Sequence, residues 1–336
     1  MKRVFLFLIM AILLALLALV AYDVYTHVPA DPAGTTAATT APETVPQVTQ
    51  PQTQPTTEAV TIPVIAPLPP AVMPEDYELT ARHAFVYDCG REQLVYTLGD
   101  QQQAIAPASL TKLLTIYTAL QHVSPDLVVT AGDETGWVDP ASSLALVANG
   151  DQLTVAQLIE GMLLQSGNDA AYALAVAVGR VLHEEEGIPS GIALDTFLEE
   201  MNRQAAVLGL ENTHFETPDG LDADGHLSTP ADMLKLTQVL MEDPMIMGYA
   251  GIAKETVTFA DGTTRDWTNT NYLLHPESPY YCPEACGLKT GYTSKAGACM
   301  IAIFHTGGRH LIVGVFGATH YEQRAADALW LYEQFR

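Results

Sequence analysis

The chain has 336 residues, of which 39 are Asp or Glu and 15 are Lys or Arg, giving a formal net charge of -24. A polymer this acidic repels nucleic acid and anionic membrane surfaces, so neither is expected as a partner held by charge, whereas small substrates stay open. With 48% hydrophobic residues, the stretch that reads as globular has ample material for a core.

Val4 to Tyr22 is an unbroken apolar run of bilayer-spanning length, preceded by Lys2 and Arg3. Residues 1–22 read as a membrane anchor with its N-terminus inside. A cleaved signal sequence is the alternative, although no small-x-small pair stands out before Tyr22. From 23 to 74 the composition shifts to Thr, Pro, Ala, Gln and Val with no apolar periodicity and almost no charge. Such a segment buries too little apolar surface to offset its ordering entropy. It reads as a disordered linker of about 50 residues, reaching roughly 150 Å at full polyproline extension. Residues 75–336 then make one large domain or two closely packed subdomains.

The domain opens with two β-rich runs, Arg82–Asp88 and Gln93–Leu98, which form a hairpin across Cys89-Gly-Arg-Glu. Leu110, Leu113, Leu114, Tyr117 and Leu120 repeat at helical spacing, with Pro107 suited to a first turn. Leu127–Thr130 and Ser143–Val147 predict short strands. Thr154 and Gln157 make a capping box for a helix ending at Leu164, and a second helix runs from Ala170 to about Val181. Leu194–Leu208 is a helix stopped by Gly209, and Thr229-Pro-Ala-Asp232 starts another. Asp261-Gly262 turns a hairpin between Thr256–Phe259 and Thr264–Trp267. Ala298–Phe304 and Leu311–Phe316 are buried strands joined through Thr306-Gly-Gly-Arg309, and Tyr321–Phe335 closes the chain as a helix. Strands at both ends with helices between them imply an α/β sandwich. Its sheet is mostly antiparallel, with edge strands from opposite ends of the domain and a helical insert.

Three short stretches carry chemistry. Ser109 and Lys112 stand three residues apart, so on a helix the amine reaches the hydroxyl. Ser109 also sits near the helix N-terminus, where its N–H and the dipole stabilise negative charge on a substrate oxygen. Taken alone, this pattern is better explained by an ordinary amphipathic helix. Ser166 and Asn168 occupy the turn Gln165-Ser-Gly-Asn-Asp169, where the plain alternative is a helix cap behind a glycine turn. The third stretch is Lys289-Thr-Gly291 within Gly287–Gly297. The chain has only six lysines and two of them fall in these motifs, which makes the joint signal stronger than any member. His214 and His226 lie too far apart for a usual zinc pair and no Glu-bearing His-x-x-x-His helix exists, so no metal or cofactor is expected.

The ordered trio Ser109-x-x-Lys112, Ser166-Gly-Asn168 and Lys289-Thr-Gly291 resembles that of the D-alanyl-D-alanine carboxypeptidases, the low-molecular-mass penicillin-binding proteins. The resemblance extends to Asn212–Phe215, Pro218–Asp222, His226–Thr229, Asn269–Leu274 and Lys289–Gly297, and it covers nearly everything after Tyr77. It implies a β-lactamase/transpeptidase-like α/β fold with a helical subdomain, and hydrolysis of peptidoglycan stem peptides ending in D-Ala-D-Ala. It implies a nucleophilic Ser109, with Lys112 as its base once burial and the neighbouring Lys289 depress the amine's proton affinity. Ser166 relays a proton to the leaving amine, and Asn168 orients Lys112 and the substrate amide. The N–H groups of Ser109 and Tyr292 make the oxyanion hole beside Gly291, and Lys289, Thr290 and Thr293 hold the substrate carboxylate. Arg324 matches a carboxylate-binding arginine of the family. β-Lactam antibiotics are implied as covalent ligands, and a bacterial cytoplasmic membrane with the domain on its outer side as the location. The family often continues into a trailing β-domain and a C-terminal amphipathic helix that this sequence lacks, so the N-terminal anchor is expected to replace that tether.

Two other readings are kept. A β-lactamase needs a water-activating carboxylate, typically a Glu between the second and third motifs. Glu211 and Glu216 lie there but lack a Glu-x-x-Leu-Asn setting. A non-catalytic sensor or wall-binding module is opposed by the intact Ser, Lys, Ser, Asn and Lys set. Cys282 and Cys286 are near enough in sequence to pair, while Cys89 and Cys299 stand at strand positions that suit free buried thiols. For the N-terminal segment, sequencing of the protein recovered from membranes is expected to start at Met1; a start near Tyr22 identifies a cleaved signal peptide.

Overall fold

The computed structural model describes residues 77–183 and 187–336. The expected anchor and linker lie outside the described residues, and among these residues no helix is long and apolar enough to cross a membrane. In chain order come β1 (His83–Asp88), β2 (Gln93–Leu98), a 3-10 turn (Ala108–Thr111) that runs into α1 (Lys112–Leu120), and β3 (Val128–Thr130). They are followed by β4 (Gln152–Thr154), α2 (Val155–Leu164), α3 (Asn168–His183), α4 (Ser190–Val207), α5 (Pro230–Leu240) and α6 (Pro244–Ala250). The last part holds β5 (Lys254–Thr258), β6 (Thr264–Thr268), β7 (Ala285–Thr293), β8 (Gly297–Thr306), β9 (Arg309–Ala318) and α7 (Tyr321–Phe335).

One antiparallel sheet of five strands, in the order β2-β1-β9-β8-β7, organises the domain. Its edges, β2 and β7, come from opposite ends of the chain, as the alternation of strand-rich and helix-rich stretches implied. Both faces are covered, which is why β8 and β9 read as continuous apolar runs rather than alternating ones. Ala84, Val86, Met300, Ala302, Phe304 and Val313 pack on α7 through Ala325, Ala328, Leu331 and Tyr332. Within that layer Phe304 and Tyr332 stack with ring centroids 4.2 Å apart. The alternate residues Phe85, Tyr87, Cys299, Ile301, Ile303 and Ile312 face the helical layer, where Leu113, Leu114, Leu158, Leu163 and Leu174 are buried. A one-residue slip in any strand exchanges these two sets, so the two covered faces fix the register.

Local chemistry sets the helix ends. Thr154 and Gln157 exchange side-chain hydrogen bonds with each other's backbone N–H at 3.1 and 3.0 Å, the predicted capping box of α2. Thr229 caps α5 by accepting from Asp232 N at 3.1 Å, with Pro230 in the first turn. One strand expectation is corrected. Ser143–Val147 is not a strand: Ala145 and Val147 donate their N–H groups to the Asp169 carboxylate at 2.8 Å each, and Leu146 lies at φ 61°, which breaks extended geometry. The partner of β3 is Gln152–Thr154 instead. The Lys289-Thr-Gly stretch lies on the edge strand β7 itself, and α6, with Asp243 as its N-cap, was not foreseen. All four cysteines are free; the Cys282 thiol meets Glu284 Oε2 at 3.3 Å and the Cys286 thiol meets Glu284 O at 3.5 Å, so the two sulfurs are not joined.

Asp327 on α7 ties the start of the domain to its end. Its buried carboxylate accepts from Tyr77 Oη (2.8 Å), Thr80 Oγ1 (3.0 Å), Thr80 N (3.1 Å) and Ala81 N (2.9 Å). Asp327→Ala strands those donors and is expected to lower the unfolding free energy by about 3 kcal/mol, read as a lower urea midpoint with an unchanged slope.

Candidate active site

The site lies where the edge strand β7 meets the 3-10 turn that starts α1. Ala108 is held at φ 52°, a left-handed conformation costing about 1–3 kcal/mol for a residue with a side chain, and it delivers Ser109 half-buried at the head of the helix. One turn on, Lys112 is fully buried. Its Nζ lies 3.0 Å from Ser109 Oγ, 2.7 Å from Asn168 Oδ1 and 2.7 Å from the main-chain O of Asp219. Two of these three neighbours only accept; Ser109 Oγ alone can also donate. A neutral amine therefore gives its two protons to Asn168 and Asp219 and turns its lone pair to the Ser109 hydroxyl. The neutral state is within reach: burial brings the Lys112 amine down to about 8, although Asp219 and Asp169 pull it up.

Ser166 and Asn168 come from the turn between α2 and α3. Ser166 stands at φ 58°, a second strained residue at this site, and its Oγ accepts from Lys289 Nζ at 2.9 Å. Asn168 is the first residue of α3, and its N–H donates to Ser143 O at 2.8 Å. Asp169 beside it spends both oxygens on the backbone of Ala145, Val147 and Ala170. The turn is thus cross-tied to the 143–147 segment, which explains that segment's irregular path.

β7 supplies the opposite wall. Lys289 is buried and donates to Ser166 Oγ and, at 2.8 Å, to Thr290 O. Burial, then Lys112 and Arg324, hold its amine well below the usual lysine range. The expected lowering of Lys112 thus has burial as its largest cause. Lys112 has acidic neighbours and Lys289 has cationic ones, so the mutual repulsion drives the proton from Lys289. A Cβ on Gly291 would stand 2.9 Å from Ser109 N, so only glycine lets the strand approach Ser109 this closely. Thr290 Oγ1 lies 2.6 Å from Thr270 Oγ1, and Thr293 Oγ1 donates to Asp222 Oδ1 at 2.8 Å. Arg324 is buried, donating to Gly291 O (3.0 Å) and Thr270 O (3.4 Å), with its Nε unpartnered among the described residues. Burial brings its guanidinium down to about 10. Tyr292 is exposed and its ring contacts Tyr321, over which Arg324 also lies.

All ten residues singled out in the sequence converge on this seam. Sequence reasoning missed the loop Thr217–Asp222 as a wall of the site and missed Thr270. The loop is clamped on α1: Thr115 Oγ1 donates to Pro218 O at 2.7 Å, and a Cβ on Gly220, at φ 91°, would fall 2.0 Å from Ala108 O. His226 closes the loop, accepting from Glu216 N at Nδ1 (3.0 Å) and meeting Thr111 Oγ1 at Nε2 (2.9 Å), so both its nitrogens are occupied structurally. The Pro-Asp-Gly sequence signalled the turn; nothing local signalled that its carbonyl reaches Lys112. Glu211 and Glu216 are exposed, the latter paired with His214 at 3.0 Å.

Comparison with known proteins agrees with this geometry. A family described as D-alanyl-D-alanine carboxypeptidase matches residues 70–320. The D-alanyl-D-alanine carboxypeptidase DacA of Escherichia coli is 36% identical over 232 residues, 66% of this chain and 52% of that protein, so the chain spans about half the length of this relative. The crystal structure of the Streptomyces K15 DD-transpeptidase superposes with a TM-score of 0.68 at 28% identity, covering 77% of this chain and 97% of the other. Penicillin-binding protein D2 of Listeria monocytogenes, in its ampicillin-bound form, gives a TM-score of 0.62 at 29% identity over 78% and 99%.

The lowered proton affinity of Lys112 has a sign in stability. Its native value, about 8, lies below the model-peptide value of 10.5, so the unfolded chain binds more protons between them and stability rises with pH in that window. Measured against Lys112→Met by urea unfolding, wild type is expected to gain about 3 kcal/mol from pH 7.5 to 10.5. Parallel curves would show an amine of ordinary affinity.

Proposed function

This chain belongs to the D-alanyl-D-alanine carboxypeptidase family, and from that premise we propose that it is a serine-type carboxypeptidase releasing the last residue of peptidoglycan stem peptides that end in D-Ala-D-Ala. The observation that carries the reading is the buried Lys112 amine with one neighbour, Ser109 Oγ at 3.0 Å, able to give it a proton. Ser109 Oγ attacks the carbonyl carbon between the two D-alanines as its proton passes to Lys112 Nζ. The N–H groups of Ser109 and Tyr292 receive the oxyanion, which the close approach of Gly291 to Ser109 N supports. The C–N bond then breaks as Ser166 passes its proton to the leaving amine and takes in its place the one held on Lys112, and water resolves the ester. Asn168 holds the amine and the substrate amide in place.

Lys289, Thr290, Thr293 and Arg324 hold the terminal carboxylate. An anion there supplies the counter-charge Lys289 lacks, so binding draws a proton onto its amine. Residues 1–22 anchor the domain to the outer side of a bacterial cytoplasmic membrane, a proposal supported by Lys2-Arg3 before the apolar run. β-Lactams acylate Ser109 in the same way. Their leaving amine stays tethered to the acyl group and obstructs water, and Glu211 and Glu216, both exposed, offer no base to replace it.

Mass spectrometry after penicillin treatment is expected to place the adduct on the peptide containing Ser109, with slow release. D-alanine should be freed from a D-Ala-D-Ala peptide and not from its C-terminally amidated form. The acylation rate should rise with pH through a midpoint near 8, where Lys112 loses its proton. An adduct on Ser166, or fast penicillin hydrolysis with no peptide activity, removes the reading.

A further inference from the structure

We infer that Asp219 sets the protonation state of Lys112, acting as a positioning residue for the Ser109–Lys112 pair through both its main chain and its carboxylate. Its carbonyl fixes the amine at 2.7 Å. The side chain that follows from the same residue is 1% exposed; Oδ1 accepts only Leu221 N, at 3.1 Å, and Oδ2 has no partner among the described residues. A buried carboxylate oxygen without a donor is costly and calls for a reason. A positive amine close by is one, because it interacts with the charge without a hydrogen bond.

The neighbouring groups single out Asp219. Lys112 interacts electrostatically with Asp219 on the loop, Asp169 on α3 and Lys289 on β7. Asp169 has spent both oxygens on three backbone N–H groups, so donors already offset its charge. Asp219 in turn faces Tyr172 on α3 and His226 at the end of its own loop. Burial holds the Tyr172 hydroxyl well above its usual range and brings the His226 imidazole down to about 4, so both are uncharged at neutral pH. Lys112 is the remaining partner for the Asp219 charge among these groups.

The loop cannot drift from the amine it acts on. Thr115 holds Pro218 O, Gly220 N donates to Thr217 Oγ1 at 3.2 Å, and the Gly220 Cα packs on Ala108 O. Nucleophile, amine and carboxylate are therefore one rigid body. When the Ser109 proton arrives on Nζ as the Oγ–C bond forms, the ammonium is born facing Asp219. The carboxylate keeps Lys112 a stronger base than burial alone would leave it.

The inference rests on Lys112 being the base of the reaction proposed above, so its test reads the amine directly. In the full-length protein with 13C-labelled lysine, the Lys112 Cε signal, identified by its loss in Lys112→Met, is titrated without substrate. Asp219→Asn is expected to move that midpoint, and the rising limb of penicillin acylation, about one pH unit lower, a tenfold loss of proton affinity, with a lower plateau rate. Conversely, an Asn variant that folds and slows acylation with both midpoints unmoved reduces Asp219 to a structural role and overturns the inference. Should the variant not fold, the wild-type Asp219 Cγ signal decides: it should shift with the Lys112 midpoint, and a flat trace there refutes the coupling. Absence of peptide cleavage by the wild type, with the titration shift intact, would instead sink the carboxypeptidase reading.

Discussion

Two lysine amines are buried side by side in this domain, and much of the architecture around them is a response to that constraint. An ammonium removed from water loses several kcal/mol of solvation unless acceptors and counter-charges replace it. Lys112 finds Asn168 Oδ1, Asp219 O and Ser109 Oγ; Lys289 finds Ser166 Oγ and Thr290 O. These acceptors come from the 3-10 turn before α1, the α2–α3 turn, the 217–222 loop and β7, four segments separated in sequence. Each is pinned by contacts that have no other evident purpose, such as Asp169 on the 143–147 backbone and Thr115 on Pro218. The unequal supply of acidic neighbours then separates the two amines by role. Lys112 keeps enough proton affinity to work as a base. Lys289 lacks a counter-charge until an anion arrives.

The sheet makes this possible by being rigid and by ending at the right strand. With both faces covered, β8 and β9 cannot slip, and β7 inherits their register through Lys289↔Ile301 and Gly291↔Cys299. As an edge strand, β7 has one side unpaired by other strands, and the nucleophile turn lies along it. The contact is close enough to require glycine at 291 and a left-handed residue at 108. Strain at Ala108 and Ser166 is thus held by the packing of two layers rather than by the turns themselves.

What the sequence disclosed follows from how local each signal is. The capping box at Thr154, the Pro230 turn, the apolar runs of β8 and β9 and the amphipathic α7 depend on neighbours within a few residues, and they were legible. Ser143–Val147 was misread because its hydrogen bonds go to Asp169, more than twenty residues away, a connection no periodicity encodes. The three motifs were legible as a set through the resemblance, whereas their proton order was not. Which lysine yields its proton depends on Asp219 and Asp169 lying near Lys112, a fact of three-dimensional placement. Arg324, at a helix start where an arginine is often solvated, proved buried against Gly291 O and Thr270 O. Asp219 escaped notice for a related reason: a Pro-Asp-Gly turn explains the residue fully until its carbonyl is seen on the amine.

The charge distribution separates reaching the site from binding in it. The chain carries -24 overall, yet Lys112, Lys289 and Arg324, three of its 15 basic residues, are buried within one site. Within a Debye length, about 8 Å in physiological salt, the summed surface charge repels an anionic peptide, and beyond it salt screens that repulsion. Inside the site Arg324, and Lys289 once an anion draws a proton onto it, act at contact distance and in a lower dielectric, where salt penetrates little. On the proposed reading, recognition of a carboxylate is therefore a short-range event, set by hydrogen-bond geometry and by desolvation of Lys289 and Arg324 rather than by long-range attraction. The same short range keeps the acidic surface from neutralising the site. That leaves Asp219 and Asp169, the carboxylates inside the wall, to decide how much positive charge Lys112 retains.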